Sequence, residues 1–230
     1  MYRNLNDEDP DSHLVGDEVL SITASNKSFF VGASGTNTVT EYTFEDPSVS
    51  KGVLARFTAD ATSLDVDAEG TTLAAGSADM TLKVIDVATY NITEFTGHEA
   101  PILCTVLDTN NAKEFLLSSS CDGSVKVWNI KSGSVIKTLD GLFPKSSDVS
   151  TSKTPVKIAW HPEGRFFAVP IQSGIKIFSR DSWDESKELK PDFSLGQDEL
   201  FSAVCWSPDA KYILGSTSKG QFAVWRFKDA

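Results

Sequence analysis

A repeated unit of about forty residues constrains the fold of this chain more than any other feature. Each copy contains a short apolar strand, a polar turn, a second strand ending in small residues, a tight turn, and a third strand with an aromatic or aliphatic residue near its end. The turns at 78–80 and 121–123 occupy the same position in two successive copies, and their aspartates, Asp79 and Asp122, lie 43 residues apart. The third strands carry apolar residues on both faces, which is typical of strands packed between two layers. Long helical periodicity is absent, so the repeat predicts an all-β chain.

A fourth, more polar strand follows the first three in all copies but the last, and four strands per repeat of this length are typical of a β-propeller blade. The fourth strands are predicted at residues 53–57, 92–95, 135–139 and 187–195. The blades are predicted at residues 19–58, 62–96, 102–140, 156–196 and 201–228, the last with only three strands. We therefore expect a propeller region over residues 19–230 with about five blades.

Residues 1–18 form an acidic segment ahead of the first predicted blade. Within this segment, residues 12–15 could form a single outer strand. That strand could complete the fifth blade and close a five-bladed ring, or it could belong to a further blade. The repeat pattern leaves both alternatives open.

The charge balance of the chain bears on its partners. The formal net charge is −11, from 21 Lys and Arg residues against 32 Asp and Glu residues. Because phosphate backbones are bound mainly through Lys and Arg, this balance argues against direct binding of nucleic acid over a broad face. No apolar run is long enough to cross a bilayer. We expect a soluble, intracellular protein that binds neither nucleic acid nor membrane directly.

Motifs for catalysis, metals and cofactors are missing from the sequence. There is no Gly-x-Ser-x-Gly elbow and no phosphate-binding Gly-rich loop. The cysteines form no CxxC pair, which argues against a zinc site or a disulfide framework. Of the histidines, His13 lies in a polar segment and His161 lies in a His-Pro-Glu-Gly turn, where we expect a surface position. The sequence therefore predicts a non-enzymatic protein, without metal or cofactor, whose loops bind other proteins.

Two segments are candidates for binding partner proteins. The insertion at 142–154 is rich in Ser and Lys and contains Phe143 and Lys145. It is either a flexible loop or a docking loop that phosphorylation controls, and we expect it on the face that carries the turns between second and third strands. Arg180 and Trp183 lie close together in a connection between strands, a composition typical of interface hot spots. A Trp183 folded back onto its own blade fits the sequence at least equally well.

The third copy of the repeat resembles the WD repeat. Gly97-His98 precedes it, Ser-Cys-Asp-Gly lies at its tight turn, and Trp128 is followed by Asn129, where the family has Asp. The resemblance implies a structural hydrogen-bond network of one imidazole, one hydroxyl, one carboxylate and one indole. Its members would be His98, Ser120 (or Ser118, which has the same strand parity), Asp122 and Trp128.

A narrower resemblance extends along nearly the whole chain. Its residues are the runs at 4–11, 54–58, 74–79, 97–101, 120–125 and 180–183. These runs are similar to the amino-terminal propeller of the WD-repeat and HMG-box DNA-binding proteins and of their fungal relatives, the chromosome-transmission-fidelity and minichromosome-loss factors. The resemblance implies a nuclear replisome scaffold that links the replicative helicase to DNA polymerase α, with seven blades in the propeller, so the orphan strand at 12–15 would belong to a further blade. It also implies that trimer formation and the HMG box lie in regions outside this sequence, which would then be an incomplete fragment.

The fold alone permits a second function. A generic WD-repeat adaptor, such as a substrate receptor of a ubiquitin ligase or a signalling scaffold, would show the same repeats. The two hypotheses differ in their partners, because only the first implies association with the helicase and with polymerase α.

Overall fold

The computed structural model describes residues 18–111, 113–146 and 156–228, and every regular element within them is a β-strand. The expected all-β class is therefore confirmed. The predicted segment at 12–15 and most of the insertion at 142–154 lie outside the described residues.

The strands form five antiparallel sheets, four with four strands and one with three. The first sheet contains β1 (Val19–Ala24), β2 (Ser28–Ala33), β3 (Thr38–Thr43) and β4 (Ser50–Arg56). The second contains β5 (Ala61–Val66), β6 (Thr72–Ser77), β7 (Leu82–Asp86) and β8 (Ile92–Phe95). The third contains β9 (Ile102–Leu107), β10 (Phe115–Ser120), β11 (Val125–Asn129) and β12 (Ser134–Leu139). The fourth contains β13 (Ala159–Trp160), β14 (Phe166–Ile171), β15 (Gly174–Ser179) and β16 (Glu185–Leu189). The fifth contains β17 (Phe201–Trp206), β18 (Tyr212–Thr217) and β19 (Phe222–Arg226).

The strand order within each sheet follows the chain, as in a meander. Sheets meet mainly through their first strands: β1 lies beside β5, β5 beside β9, and β13 beside both β9 and β17. A parallel bridge joins Lys157, just before β13, to Ala203 in β17. The first strands are thus the innermost ones, and the sheets follow one another around them as blades do in a propeller.

All four predicted fourth strands are present in the structure, but some of their bounds differ. The strand at 92–95 is confirmed, and that at 135–139 begins one residue earlier, as β12. The strand predicted at 53–57 extends back to Ser50 as β4, and the strand predicted at 187–195 is β16, which ends at Leu189. At the start of β4 the missed residues are polar and mostly exposed, so the apolar pattern gives no signal there. After β16 the apolar residues Phe193 and Leu195 pack against the core without belonging to a strand.

The core consists of four layers, each between two neighbouring sheets. Apolar side chains that represent the four layers, in chain order, are Phe30 with Leu73, Phe95 with Trp128, Leu117 with Phe167, and Ile175 with Phe201. Burying one side chain of this kind contributes roughly 1.5–3 kcal/mol. Each inner sheet is therefore held on both faces, whereas the outer faces of the first and fifth sheets retain exposed apolar side chains such as Ile22 and Phe222.

No helix in the described ranges is long and apolar enough to span a membrane.

Candidate functional site

A buried hydrogen-bond network ties the segment between the second and third blades to the third blade. Nδ1 of His98 lies 2.7 Å from Oδ2 of Asp122, and Nε2 of His98 lies 2.7 Å from Oγ of Ser118. The indole N–H of Trp128 donates to the same hydroxyl oxygen at 2.8 Å. Because an indole is a donor only, the Ser118 hydroxyl accepts from Trp128 and donates to His98 Nε2, and His98 Nδ1–H donates to Asp122. The four polar groups satisfy one another inside the blade.

Asp122 is the acceptor at the end of this network. Burial opposes its ionisation, but hydrogen bonds from the His98 side chain, the Ser124 side chain and the backbone N–H of Glu99 outweigh that penalty and hold the pKa of Asp122 well below its usual range. The carboxylate therefore stays ionised at neutral pH and ties the segment before β9 to the turn between β10 and β11.

Ser120 holds a different place from the one expected. Its hydroxyl donates to the carbonyl of Ala100 at 2.8 Å and accepts from the backbone N–H of Asp122 at 3.1 Å, whereas Ser118 makes the contact with His98. The two serines lie two residues apart on β10, so their side chains point to the same face of the sheet. The sequence therefore does not show which of them contacts the imidazole, and in the structure it is Ser118. Ser120 instead pins the turn that carries Asp122.

The second blade contains a reduced version of the same network. Oδ2 of Asp79 accepts from the backbone N–H of Thr58 at 2.8 Å and lies 3.1 Å from its hydroxyl. Asp79 also accepts from Thr81, as Asp122 accepts from Ser124. Asp79 and Asp122 occupy the same position in successive repeats, and this spacing is the sequence signal for the contact between Asp79 and Thr58. The segment that contains Thr58 has no Gly-His motif.

Arg180 lies between the third and fourth blades. Its Nη2 atom is 2.9 Å from Oδ2 of Asp108 and 2.9 Å from Oε2 of Glu114, and its guanidinium lies over the ring of Phe115. The Asp108 side chain is fully buried, so this ion pair compensates a charge in the interior. In this conformation Arg180 joins blades rather than presenting its charge to a partner.

Trp183 packs into the same seam. Its ring contacts Phe115 with centroids 5.0 Å apart, and it also approaches Trp160 and Phe167. It is partly buried against the core layer between the third and fourth sheets. The tryptophan is folded back, as one of the two sequence interpretations has it, but it packs between its own blade and the preceding one, to which Phe115 belongs.

The start of the insertion at 142–154 is attached to the third blade. Phe143 is 8% exposed and belongs to the core, so its side chain is not on the surface as a docking residue requires. The backbone N–H of Ser146 donates to the carbonyl of Cys121 at 2.8 Å. Lys145 is exposed beside this turn. Of the two candidates in this insertion, Lys145 alone presents its side chain to solvent.

A cavity of about 610 Å³ opens at the opposite ends of the blades, where first strands turn into second strands. Its walls come from the ends of β5, β9 and β13 and from the turns that follow the first two of these strands, namely residues 65–69, 106–111, 113 and 158–160. Four of its lining residues are acidic: Asp65, Asp67, Glu69 and Asp108. We call it the inner cavity. Sequence reasoning missed it because its residues come from three repeats and lie within ordinary turn motifs.

Asp65 is the most perturbed carboxyl in the inner cavity. Burial raises its pKa to about 6, against the backbone N–H groups of Leu107 and Val66, which favour the ionised form. The N–H of Leu107 donates to its Oδ2 at 2.7 Å. The nearby charge of Asp67 raises the pKa further. Within the described residues no cluster of three or more His, Cys, Asp or Glu residues is placed to hold a metal ion.

His161 is buried, and the expected surface position was wrong. It is 1% exposed, and its ring packs against Trp206 at a centroid distance of 4.8 Å and near Phe227. Its Nδ1 accepts from the backbone N–H of Glu163 at 3.1 Å. The turn motif gives no sign of this burial, because the residues that cover His161, Trp206 and Phe227, belong to the following blade.

The sheets, their order and the network around His98 define a WD-repeat β-propeller protein. WD-repeat domains are generally non-catalytic modules that bind other proteins. More narrowly, a family model described as the WDHD1 first WD40 domain matches residues 1–230, and the chain belongs to this family.

Several known proteins are similar to the chain. The WD repeat and HMG-box DNA-binding protein 1 of Mus musculus is 36% identical over 98% of this chain, and that of Homo sapiens is 33% identical over the same share. The chain spans 20% of the mouse protein and 19% of the human one, so it corresponds to about a fifth of these relatives. The small ribosomal subunit protein RACK1 of Candida albicans is 26% identical over 61% of this chain and 42% of its own length.

Proposed function

We propose that the chain is the protein-binding WD-repeat part of a nuclear DNA-replication scaffold, which links the replicative helicase to DNA polymerase α. The observation that carries this proposal is the match of one family model to all 230 residues. The resemblance to the family also implies seven blades in the complete propeller, of which the described residues form five sheets. The acidic charge supports contact with proteins rather than with DNA in this part of the molecule. Trimer formation and DNA contact would belong to other parts of the scaffold.

The architecture supports a platform rather than an enzyme. The imidazole of His98 is fully buried and used within the network, and the thiol of Cys104 is buried with a raised pKa, so neither is available as a base or nucleophile. Asp122 is engaged in a turn and Arg180 is engaged between blades, so both side chains serve the structure. The connecting loops remain as binding surface.

Among the partner-binding candidates, we propose Lys145 as the contact residue. It is exposed at the turn that the His98 network stabilises. A rigid turn holds such a cation in place before binding, which reduces the entropy lost in the complex. Phe143 would act indirectly, by fixing this turn, whereas Arg180 and Trp183 would stabilise the seam at the opposite ends of the blades.

A bridging assay with purified components tests the proposal. The chain is added to beads that carry the replicative helicase, and retention of DNA polymerase α is then measured with and without the chain. We expect polymerase α to be retained only with the chain. Lys145→Ala should reduce retention, while Lys131→Ala, which removes an equally exposed cation in the turn between β11 and β12, should not.

Two results would contradict parts of the proposal. Retention of DNA polymerase α no greater than with an unrelated acidic WD-repeat protein would remove the replisome role and favour a generic adaptor. Equal effects of the two lysine variants would remove Lys145 from the contact surface and leave the role itself standing.

A further inference from the structure

The turn between β6 and β7 holds a methionine where the repeat favours glycine. Met80 has a φ of 71°, and the equivalent residues of the third and fifth blades are Gly123 and Gly220, with φ of 84° and 87°. In all three turns the N–H of this residue donates to the carbonyl three positions earlier. A Cβ added at Gly220 would meet no atom within 4 Å, so glycine serves the backbone there rather than the packing. Because a left-handed conformation strains residues that carry a Cβ, methionine is an unfavourable choice for this turn.

The packing of Met80 does not offset this strain. Its side chain is 43% exposed and belongs to none of the four core layers that the described residues form. Trp183 is also left-handed, at a φ of 59°, but its ring packs against Phe115 and Trp160. Backbone strain of this kind is concentrated at functional sites, where the strained residue serves binding. The strained and exposed Met80 therefore marks its turn as a candidate contact with another molecule.

The turn is flanked by acidic groups. Asp79 directly precedes Met80, and the backbone carbonyl of Asp60 accepts an N–H of the turn at 2.9 Å. Lys83, the cation of the strand that follows, is largely buried and pairs with Glu94 at 3.4 Å. A molecule that covers Met80 therefore meets an apolar side chain with carboxylates beside it, which favours an apolar group flanked by cations.

We propose that Met80 anchors an extended segment of a partner protein in which a bulky apolar residue lies between Lys or Arg residues. The apolar side chain packs on Met80, whose flexible thioether adapts to the shape of what it contacts. The cations lie beside the carboxylates of Asp60 and Asp79. The inference rests on the protein-binding role proposed above, but not on the identity of the replisome partners.

Methyl NMR of the whole chain tests this anchor directly, because Met1 and Met80 are its two methionines. The methionine methyl groups are labelled with ¹³C, and Met80→Leu identifies the Met80 signal. The probes are the acetylated and amidated tripeptides Arg-Phe-Arg, Arg-Ser-Arg and Glu-Phe-Glu. We expect a saturable shift of the Met80 signal with Arg-Phe-Arg. The other two peptides should bind about 10-fold more weakly, because each lacks either the apolar side chain or the cations.

Variants separate the anchor from the fold, with the amide signals of the turn at 78–81 as the measure of binding. Met80→Gly removes the anchor and relieves the strain, so it should weaken Arg-Phe-Arg binding by about 10-fold and raise the thermal midpoint by about 2 °C. Met80→Leu keeps an apolar side chain of similar volume and should change the affinity by less than about 3-fold.

Tyr90→Gly is the matched control. Tyr90 is also left-handed, at a φ of 60°, and is 53% exposed, but its turn between β7 and β8 lies at the opposite ends of the blades. Tyr90→Gly relieves the same kind of strain and removes a larger exposed side chain. It should leave the affinity for Arg-Phe-Arg unchanged.

Several results would overturn the inference. They are equal binding of Arg-Phe-Arg and either control peptide, no shift of the Met80 signal with any peptide, and equal weakening by Met80→Gly and Tyr90→Gly. A lower thermal midpoint for Met80→Gly would also overturn it, because the side chain would then serve the fold. None of these results depends on the helicase or on polymerase α, so failure here is distinguishable from failure of the bridging assay.

Discussion

Removal of one hydroxyl from the His98 network should destabilise the chain far more than its size indicates. Ser118 is 0% exposed, and its hydroxyl serves both Nε2 of His98 and the indole N–H of Trp128. Ser118→Ala leaves both groups buried and unpaired, at about 1–3 kcal/mol each. We therefore expect the free energy of unfolding to fall by roughly 2–5 kcal/mol.

Equilibrium unfolding in urea at pH 7, followed by circular dichroism, measures this loss. Ser132→Ala removes an exposed serine hydroxyl and should change the free energy of unfolding by less than about 0.5 kcal/mol. A double-mutant cycle with Trp128→Phe isolates the shared contact. In the Trp128→Phe background Ser118→Ala orphans only the imidazole, so its effect should fall by about half, with a coupling on the order of 1 kcal/mol.

A loss from Ser118→Ala as small as that from Ser132→Ala would contradict this expectation. Additive effects of Ser118→Ala and Trp128→Phe would contradict it as well, since additivity would mean that the indole and the hydroxyl do not share one network.

Three further perturbations have defined outcomes. Burial raises the pKa of Asp65 to about 6, so the folded chain holds this proton more tightly than the unfolded one, and the stability contributed by the group falls as pH rises from about 4 to about 6. Asp65→Asn should remove that slope, so its free energy of unfolding relative to the natural chain should rise by about 2–3 kcal/mol between pH 4 and pH 7 in urea titrations. Arg180→Ala leaves the buried carboxylate of Asp108 without its partner and should lower the free energy of unfolding by about 3 kcal/mol, measured in the same way. Gly174→Ala should lower the thermal midpoint by several degrees, because the added methyl would overlap the backbone carbonyl oxygen of Leu189 in the paired strand.

Each of these perturbations has a control. A difference between Asp65→Asn and the natural chain that does not vary with pH would contradict the titration argument. Lys137→Ala breaks a largely exposed ion pair with Asp184 and should lower the free energy of unfolding by at most about 1 kcal/mol. An equal loss from Arg180→Ala would contradict the claim that burial makes the ion pair of Arg180 with Asp108 more costly to break. Gly133→Ala places a methyl in open space, and its cost should be limited to its left-handed backbone.

The sequence predicted the fold well because the fold repeats. The turns around Asp79 and Asp122 recur at a fixed spacing, and the alternation of apolar residues identifies the inner strands of each blade. Edge strands were located less accurately: β4 and β16 are mostly exposed and polar, so their bounds depend on pairing with the adjacent strand.

Side-chain roles depended on contacts between repeats, which a single sequence does not show. His161 lies in a turn motif but is buried by Trp206 from the following blade. Arg180 pairs with Asp108, 72 residues earlier in the chain, and this pairing fixes the seam in which Trp183 lies. The inner cavity brings together the turns of separate blades and therefore leaves no contiguous motif.

Proximity labelling in dividing cells tests the central claim most directly. A biotin ligase is fused to the chain, and labelled proteins are compared between cells in S phase and cells arrested before it. We expect subunits of the replicative helicase and of DNA polymerase α to be enriched in S phase, with the label in the nucleus. Labelling confined to ubiquitin-ligase or signalling components, or unchanged between the two populations, would contradict the replisome role and leave a WD-repeat adaptor of another kind.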